Sequence, residues 1–167
     1  MNNQYFKRLS TLAAVLLLLS ATFVFATQTE LPGPAGSSLF GKSVTVLSNG
    51  NFVVTDPSYS IPGGAAKVGA VYLYDGVTLA VISTLTGSTA NDQISNAGVT
   101  VLANGNFVVL SSYWNNGTAT VAGAATWGSA TAGVSGAVSA ANSLVGSTAS
   151  DQIGAAGVTT LVNGNYV

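Results

Sequence analysis

An internal repeat constrains this chain more than any other feature of its sequence. Val44-Thr-Val-Leu-Ser-Asn-Gly-Asn-Phe-Val-Val54 returns as Val99-Thr-Val-Leu-Ala-Asn-Gly-Asn-Phe-Val-Val109, and again as Val158-Thr-Thr-Leu-Val-Asn-Gly-Asn-Tyr-Val167. The central Asn moves from 49 to 104 to 163, giving periods of 55 and 59 residues. A second block, Gly87-Ser-Thr-Ala-Asn-Asp-Gln-Ile94, comes back 59 residues later as Gly146-Ser-Thr-Ala-Ser-Asp-Gln-Ile153. Two blocks keeping one register mark a chain built from copies of one supersecondary unit, each covering apolar surface of the next.

Each unit reads as four strands. Val44–Ser48 and Phe52–Thr55 flank Asn49-Gly50, which predicts a two-residue type I′ hairpin, and Asn104-Gly105 and Asn163-Gly164 repeat it. After a loop through Pro57, Pro62, Gly63 and Gly64 comes a third strand, Ala70–Tyr74, a turn at Asp75-Gly76, and a fourth strand over Leu79–Leu85. The second unit predicts strands near 99–103, 107–111, 123–127 and 136–145; the last could pass for a short helix on its Ala content. Phe52-Val53-Val54 and Val71-Tyr72-Leu73 are apolar on both faces, which places the sheet between neighbours. The expected fold is all-β: four-stranded antiparallel units that form blades of an incomplete β-propeller. A β-solenoid usually has shorter rungs, and a β-sandwich requires no repeat.

The N-terminus reads as an address. Lys7-Arg8 precedes the unbroken apolar run Leu12–Leu19, and Val24 and Ala26 suit signal-peptidase pockets, so residues 1–26 are expected to be a cleaved signal peptide. The rival is a retained anchor, diluted by Ser10, Thr11, Ser20 and Thr22. Residues 27–38, with two Pro and two Gly within Glu30–Ser38, are expected to be a linker. Unit 1 then covers 39–98, unit 2 covers 99–157, and 158–167 begins unit 3. A chain that stops within a strand reads as part of a longer product, or as a small protein that closes its ring by self-association. Further repeats are therefore among its expected partners.

Composition removes several function classes. With no Cys and no His, thiolate sites, Ser-His-Asp relays and His-metal clusters are excluded. The segment beyond residue 26 keeps Lys42 and Lys67 against five carboxylates and has no Arg, which disfavours nucleic acid and anionic membranes. Neither nucleic-acid binding nor membrane insertion after signal cleavage is expected.

Phe40-Gly41, Val44–Leu47, Val53-Val54-Thr55-Asp56-Pro57 and Gly69–Tyr74 resemble the FG-GAP repeat of integrin-α-type β-propellers. The chain is also similar to bacterial secreted repeat domains of unassigned function that carry Asn-Gly-Asn-Tyr/Phe-Val-Val. The resemblance spans about residues 39–167 and implies a propeller architecture with a role in adhesion. Its calcium site is not carried over, because the turns at 48–51, 103–106 and 162–165 offer no anionic oxygen.

Asp92 and Asp151 recur before Gln-Ile and suit Asx-type turns better than metal or catalytic roles. Tyr59 and Trp114 lie 55 residues apart in one register, with Tyr113, Asn115 and Asn116 beside Trp114. Aromatic rings beside amides stack on and hydrogen-bond sugars or peptides, so these five are the candidate ligand-binding residues, and packing against local Gly, Pro or the next blade is the competing role. Trp127 and Tyr72 lie in predicted strands and are assigned to the core. Asn116-Gly-Thr118 matches a glycosylation sequon. No cofactor, metal site or catalytic constellation is read within these residues. The expected function is a secreted or cell-surface module that binds an extracellular glycan or protein. The alternatives are spacer repeats in a larger exported protein, or the non-catalytic part of an extracellular enzyme.

Overall fold

The structure is a computed structural model and describes residues 28–167, so the expected signal peptide lies outside the described residues. The first repeat supplies β1 (Val44–Val46), β2 (Phe52–Asp56), β3 (Ala70–Tyr74) and β4 (Val81–Thr86). The second supplies β5 (Gly98–Val101), β6 (Phe107–Ser111), β7 (Ala124–Gly128), β8 (Gly136–Ala137) and β9 (Ser143–Val145). There is no helix among the described residues. One sheet runs β1-β2-β3-β4-β8 and the other β5-β6-β7-β9, and neither closes on itself. An isolated bridge between Gly123 and Ile153 is parallel, and the named strands pair antiparallel except β4 with β8.

That exception corrects an expectation. The predicted strand over 136–145 is split: Gly136 and Ala137 leave their own repeat and pair in parallel with Leu85 and Thr86 of the first. Only Ser143–Val145 completes the second sheet, beside β7. The segment between them turns back through Asn142, whose Oδ1 accepts from Ser139 N and whose Nδ2 donates to Ala137 O. An edge strand leaves unpaired backbone groups, and the borrowed pair covers part of β4.

The Asn-Gly turns are also not the predicted two-residue type. Leu47 N donates to Asn51 O at 2.8 Å and Gly50 N to Leu47 O at 3.0 Å, closing a three-residue loop. Only Gly50 takes a positive φ, 89°, which is the three-residue hairpin with a left-handed last position. The same bonds close the turn at Asn104-Gly105 and at Asn163-Gly164, so 158–167 is a third copy of the hairpin. Asn49 is occupied otherwise: its Oδ1 accepts from Asn51 N, and its Nδ2 donates to Ala130 O in the second repeat.

Alternation along the strands sorts side chains into three apolar layers. Val53, Val71, Leu73 and Leu85 point from the first sheet toward Phe107, Val109, Trp114 and Ala124 of the second, forming the central core. Leu102, Val108, Leu110 and Ala125 face the other way, toward Val158 and Tyr166 of the third hairpin. Val54, Ala70, Tyr72 and Tyr74 form the outer face of the first sheet. Repeats therefore stack face to face, and this accounts for strands that are apolar on both sides.

The outer aromatic face is covered by the segment expected to be a linker. Leu31 and Phe40 pack on it, with the Phe40 ring 5.7 Å from Tyr72, edge-on. Phe52 and Tyr74 stack at 5.3 Å. Ser38 N and Leu39 N donate to the buried Asp56 carboxylate. The boundary expected at residue 38 thus moves to Leu31, where the compact unit 31–167 begins. Pro and Gly prevent a helix or strand here, but they do not prevent docking. Burial pushes the Tyr72 hydroxyl well above its ordinary range, with smaller contributions from Tyr59 and Asp56.

The Asp75-Gly76 turn is longer than expected. Asp75 Oδ1 accepts from Val77 N, Thr78 N and the Thr78 hydroxyl. Ser129 Oγ takes the same place in the second repeat, accepting from Thr131 N and Ala132 N. The bonds from Thr78 N, Val77 N and the Thr78 hydroxyl hold the Asp75 carboxyl below its ordinary value of 3.8. A depressed carboxyl contributes stability above its unfolded value and loses it as pH falls through the folded one. Asp75→Ala is therefore expected to lower the urea midpoint at pH 7 slightly and to flatten its decline below pH ~4, a curve that titrated denaturation would record.

Candidate functional site

The block Gly87–Ile94 builds one wall of the candidate site. Asn91 N, Gln93 N and Ile94 N donate to Ala66 O, Lys67 O and Val68 O, laying the block along the chain that enters β3. Ser150, Gln152 and Ile153 repeat these bonds with Thr120, Val121 and Ala122. To do so the backbone takes left-handed positions at Asn91, Gln93 and Ser95, with φ of 66°, 46° and 68°. Ser150, Gln152 and Gly154 match them at 66°, 52° and 85°. The partner positions Lys67 and Val121 share a φ of 52° and 55°, the latter a β-branched residue where such residues rarely go. The recurrence of these unusual positions shows that the block encodes a loop shape.

Asp92 fixes that shape and joins it to the next repeat. Its Oδ2 accepts from Ser88 N at 3.0 Å and Thr89 N at 2.8 Å. Its Oδ1 accepts from Asn115 N at 3.1 Å and Asn115 Nδ2 at 2.8 Å. Asn115 Oδ1 in turn accepts from Val121 N. One buried carboxylate therefore ties the end of the first repeat to the long loop of the second. Asp151 accepts from Ser147 N and Thr148 N in the same way but is exposed.

Between the 89–93 wall and the 113–121 loop lies an open cleft of about 480 Å³. Its polar lining is Thr89, Asn91, Gln93, Tyr113, Asn115 and Thr120, and no charged side chain lines it. Much of the backbone here is already paired: the N–H groups of Asn91, Gln93, Asn115, Asn116 and Val121 all donate within the chain. A ligand would be read by carboxamides, hydroxyls and one ring.

The five candidate ligand residues separate in space. Tyr113 is 44% exposed and lines the cleft. Asn115 lines it too, with its side chain committed to Asp92 and Val121. Asn116 donates to Gly146 O and braces the loop. Trp114 is corrected: its ring is buried in the core between the sheets, with Nε1 unpartnered among the described residues, and it offers no face for stacking. Trp114 N donates to Ser111 O, and the turn so closed leaves Tyr113 outside and Trp114 inside. Tyr59 is half-buried against the outer aromatic face of the first repeat, away from the cleft. Trp127, assigned to the core, is 44% exposed, whereas Tyr72 is buried. The turn residues Asn49, Gly50, Asn104, Gly105, Asn163 and Gly164 lie at the hairpin tips, and Asn104 Nδ2 reaches Gly164 O at 3.3 Å.

Sequence reasoning missed Thr89, Asn91, Gln93 and Thr120. The signal was available: the 87–94 block repeats as faithfully as the hairpins, although no strand demands it. Among the described residues no three His, Cys, Asp or Glu side chains cluster as metal ligands would.

A repeat of unknown function, DUF5650, matches residues 46–96 and again residues 101–155. No curated protein and no solved structure matches the chain.

Proposed function

We propose that this chain, which belongs to the family of the DUF5650 repeat, is an exported, propeller-like binding module whose ligand is an uncharged glycan. The supporting observation is the cleft between repeats, where the exposed Tyr113 ring sits among Asn91, Gln93, Thr89 and Thr120 without a charge. Sugar rings present apolar C–H faces and a belt of hydroxyls, which an aromatic face and carboxamides complement. An extended peptide would need free backbone groups for strand addition, and the walls have largely used theirs. Export rests on the apolar N-terminal run, and the propeller on the face-to-face stacking of four-stranded units and the FG-GAP-like motifs. Catalysis is not proposed, because the cleft lining holds no nucleophile–base pair.

An array of neutral oligosaccharides tests this reading. Binding by the chain is expected, with Tyr113→Ala lowering affinity about tenfold, or ~1.4 kcal/mol, at unchanged melting temperature. Gln93→Ala should weaken it less. An array with no signal, or one that Tyr113→Ala leaves untouched, removes the cleft as the site. The spacer reading then stands, favoured by the Asn49 and Asn51 amides, both of which donate to Ala130 O across the repeat junction.

A further inference from the structure

One residue that lines the cleft is held in a strained conformation. Val121 has a φ of 55°, and among the described residues it is the only β-branched side chain in the left-handed region. The loop demands that bend: Val121 N donates to Asn115 Oδ1 at 3.0 Å, and Val121 O accepts from Gln152 N at 3.2 Å. The equivalent residue of the first repeat, Lys67, has a φ of 52°, donates to Ser60 Oγ and accepts from Gln93 N. Gly or Asn would hold the same bend with less strain. Strain of this kind gathers at ligand sites, and the strained residue here stands in the cleft.

Around Val121 the cleft combines two kinds of group. Val121 and Ala90 give it an aliphatic lining, to which Tyr113 adds an exposed ring. Asn91, exposed, and Gln93, half-buried, bring carboxamides, each of which both donates and accepts. No charged side chain lines the cleft, so nothing there pairs with the carboxylate of an acidic sugar or the ammonium of a free amino sugar. A neutral sugar that carries an amide and a methyl group together complements this set. A hydroxyl in place of that group would set a polar atom against the aliphatic lining.

We propose that Val121 makes the cleft selective for an acetamido sugar over the corresponding plain hexose, an inference that rests on the neutral-glycan reading above. Tyr113 stacks on the C–H face of the ring, and the acetamido methyl lies against Val121 and Ala90. The acetamido N–H and C=O meet the carboxamides of Asn91 and Gln93. Selectivity comes from burying a methyl group that the plain hexose lacks, beside amides that a hydroxyl satisfies only in part.

The test titrates the full chain calorimetrically with triacetylchitotriose and with cellotriose, which share ring and linkage and differ in acetamido against hydroxyl. The acetylated sugar is expected to bind about tenfold tighter or more. Val121→Gly removes the aliphatic side chain and the strain together. The ratio of the two affinities should fall to about threefold or less, while the urea midpoint does not drop. Val121→Asn, which tolerates the same φ, should reduce the ratio as well. Tyr113→Ala should weaken both sugars by similar factors, because both share the ring contact. Equal affinities, no binding of either trisaccharide, or a ratio that Val121→Gly leaves unchanged would each overturn the proposal. The neutral-glycan reading falls only if the array of neutral oligosaccharides is silent too.

Discussion

Asp92→Ala is expected to destabilise the chain by about 3–5 kcal/mol, whereas Asp151→Ala should cost about 1 kcal/mol. The two aspartates occupy equivalent turns and cap equivalent N–H pairs. They differ in burial and in the second pair of donors, since Asp92 also accepts twice from Asn115. Its removal leaves four donors without their acceptor, and the two of Asn115 have less access to water than the N–H groups of the exposed Ser88 and Thr89. Asp151 is exposed, and water replaces its carboxylate. Asp92→Asn should recover only part of the loss, since the amide keeps one acceptor oxygen and turns an N–H₂ toward other N–H donors. Urea denaturation of the three variants reads the differences directly. Similar values for Asp92→Ala and Asp151→Ala would mean that the clamp on Asn115 adds nothing.

Gly69→Ala should be nearly as damaging, at about 3 kcal/mol or more, through a different mechanism. Gly69 has a φ of 75°, and an added Cβ would lie 2.2 Å from Ile94 N. Ile94 N donates to Val68 O, so the collision pushes apart the bond that seats the whole 87–94 block. Gly50→Ala is the control: its φ is 89°, but nothing lies within 4 Å of the added atom. It should cost about 1–2 kcal/mol, the strain of a left-handed residue alone. Hydrogen exchange separates the two effects, because only Gly69→Ala should expose the Ile94 amide. If both variants lost the same stability, backbone contact would not explain the glycine.

Most of the strand plan was legible in the sequence. Ala70–Tyr74 forms a strand at its predicted limits, and the paired apolar faces of β2 and β3 announced a sheet covered on both sides. The candidate site was half legible. Tyr113 and Asn115 reach the cleft, but Trp114 between them cannot, because the turn closed by Trp114 N on Ser111 O leaves Tyr113 outside and seats Trp114 in the core. Tyr59, in register with Trp114, has its own neighbours in the outer layer. The opposite wall was hidden because Asn91 and Gln93 approach Tyr113 only through a repeat junction, and a contact between repeats leaves no local periodicity.

The chain's own order of residues determined that it is repetitive, all-β and built from hairpins that turn at Asn-Gly. These are local matters of side-chain alternation and of which residues tolerate a left-handed turn. Tertiary structure decided what lies against what: that 136–137 crosses to the first sheet, that Leu31–Phe40 caps an aromatic face, and that Trp114 is buried while Trp127 is not. Burial is a property of neighbours, and equivalent positions in two copies differ when the described residues cover only one of them.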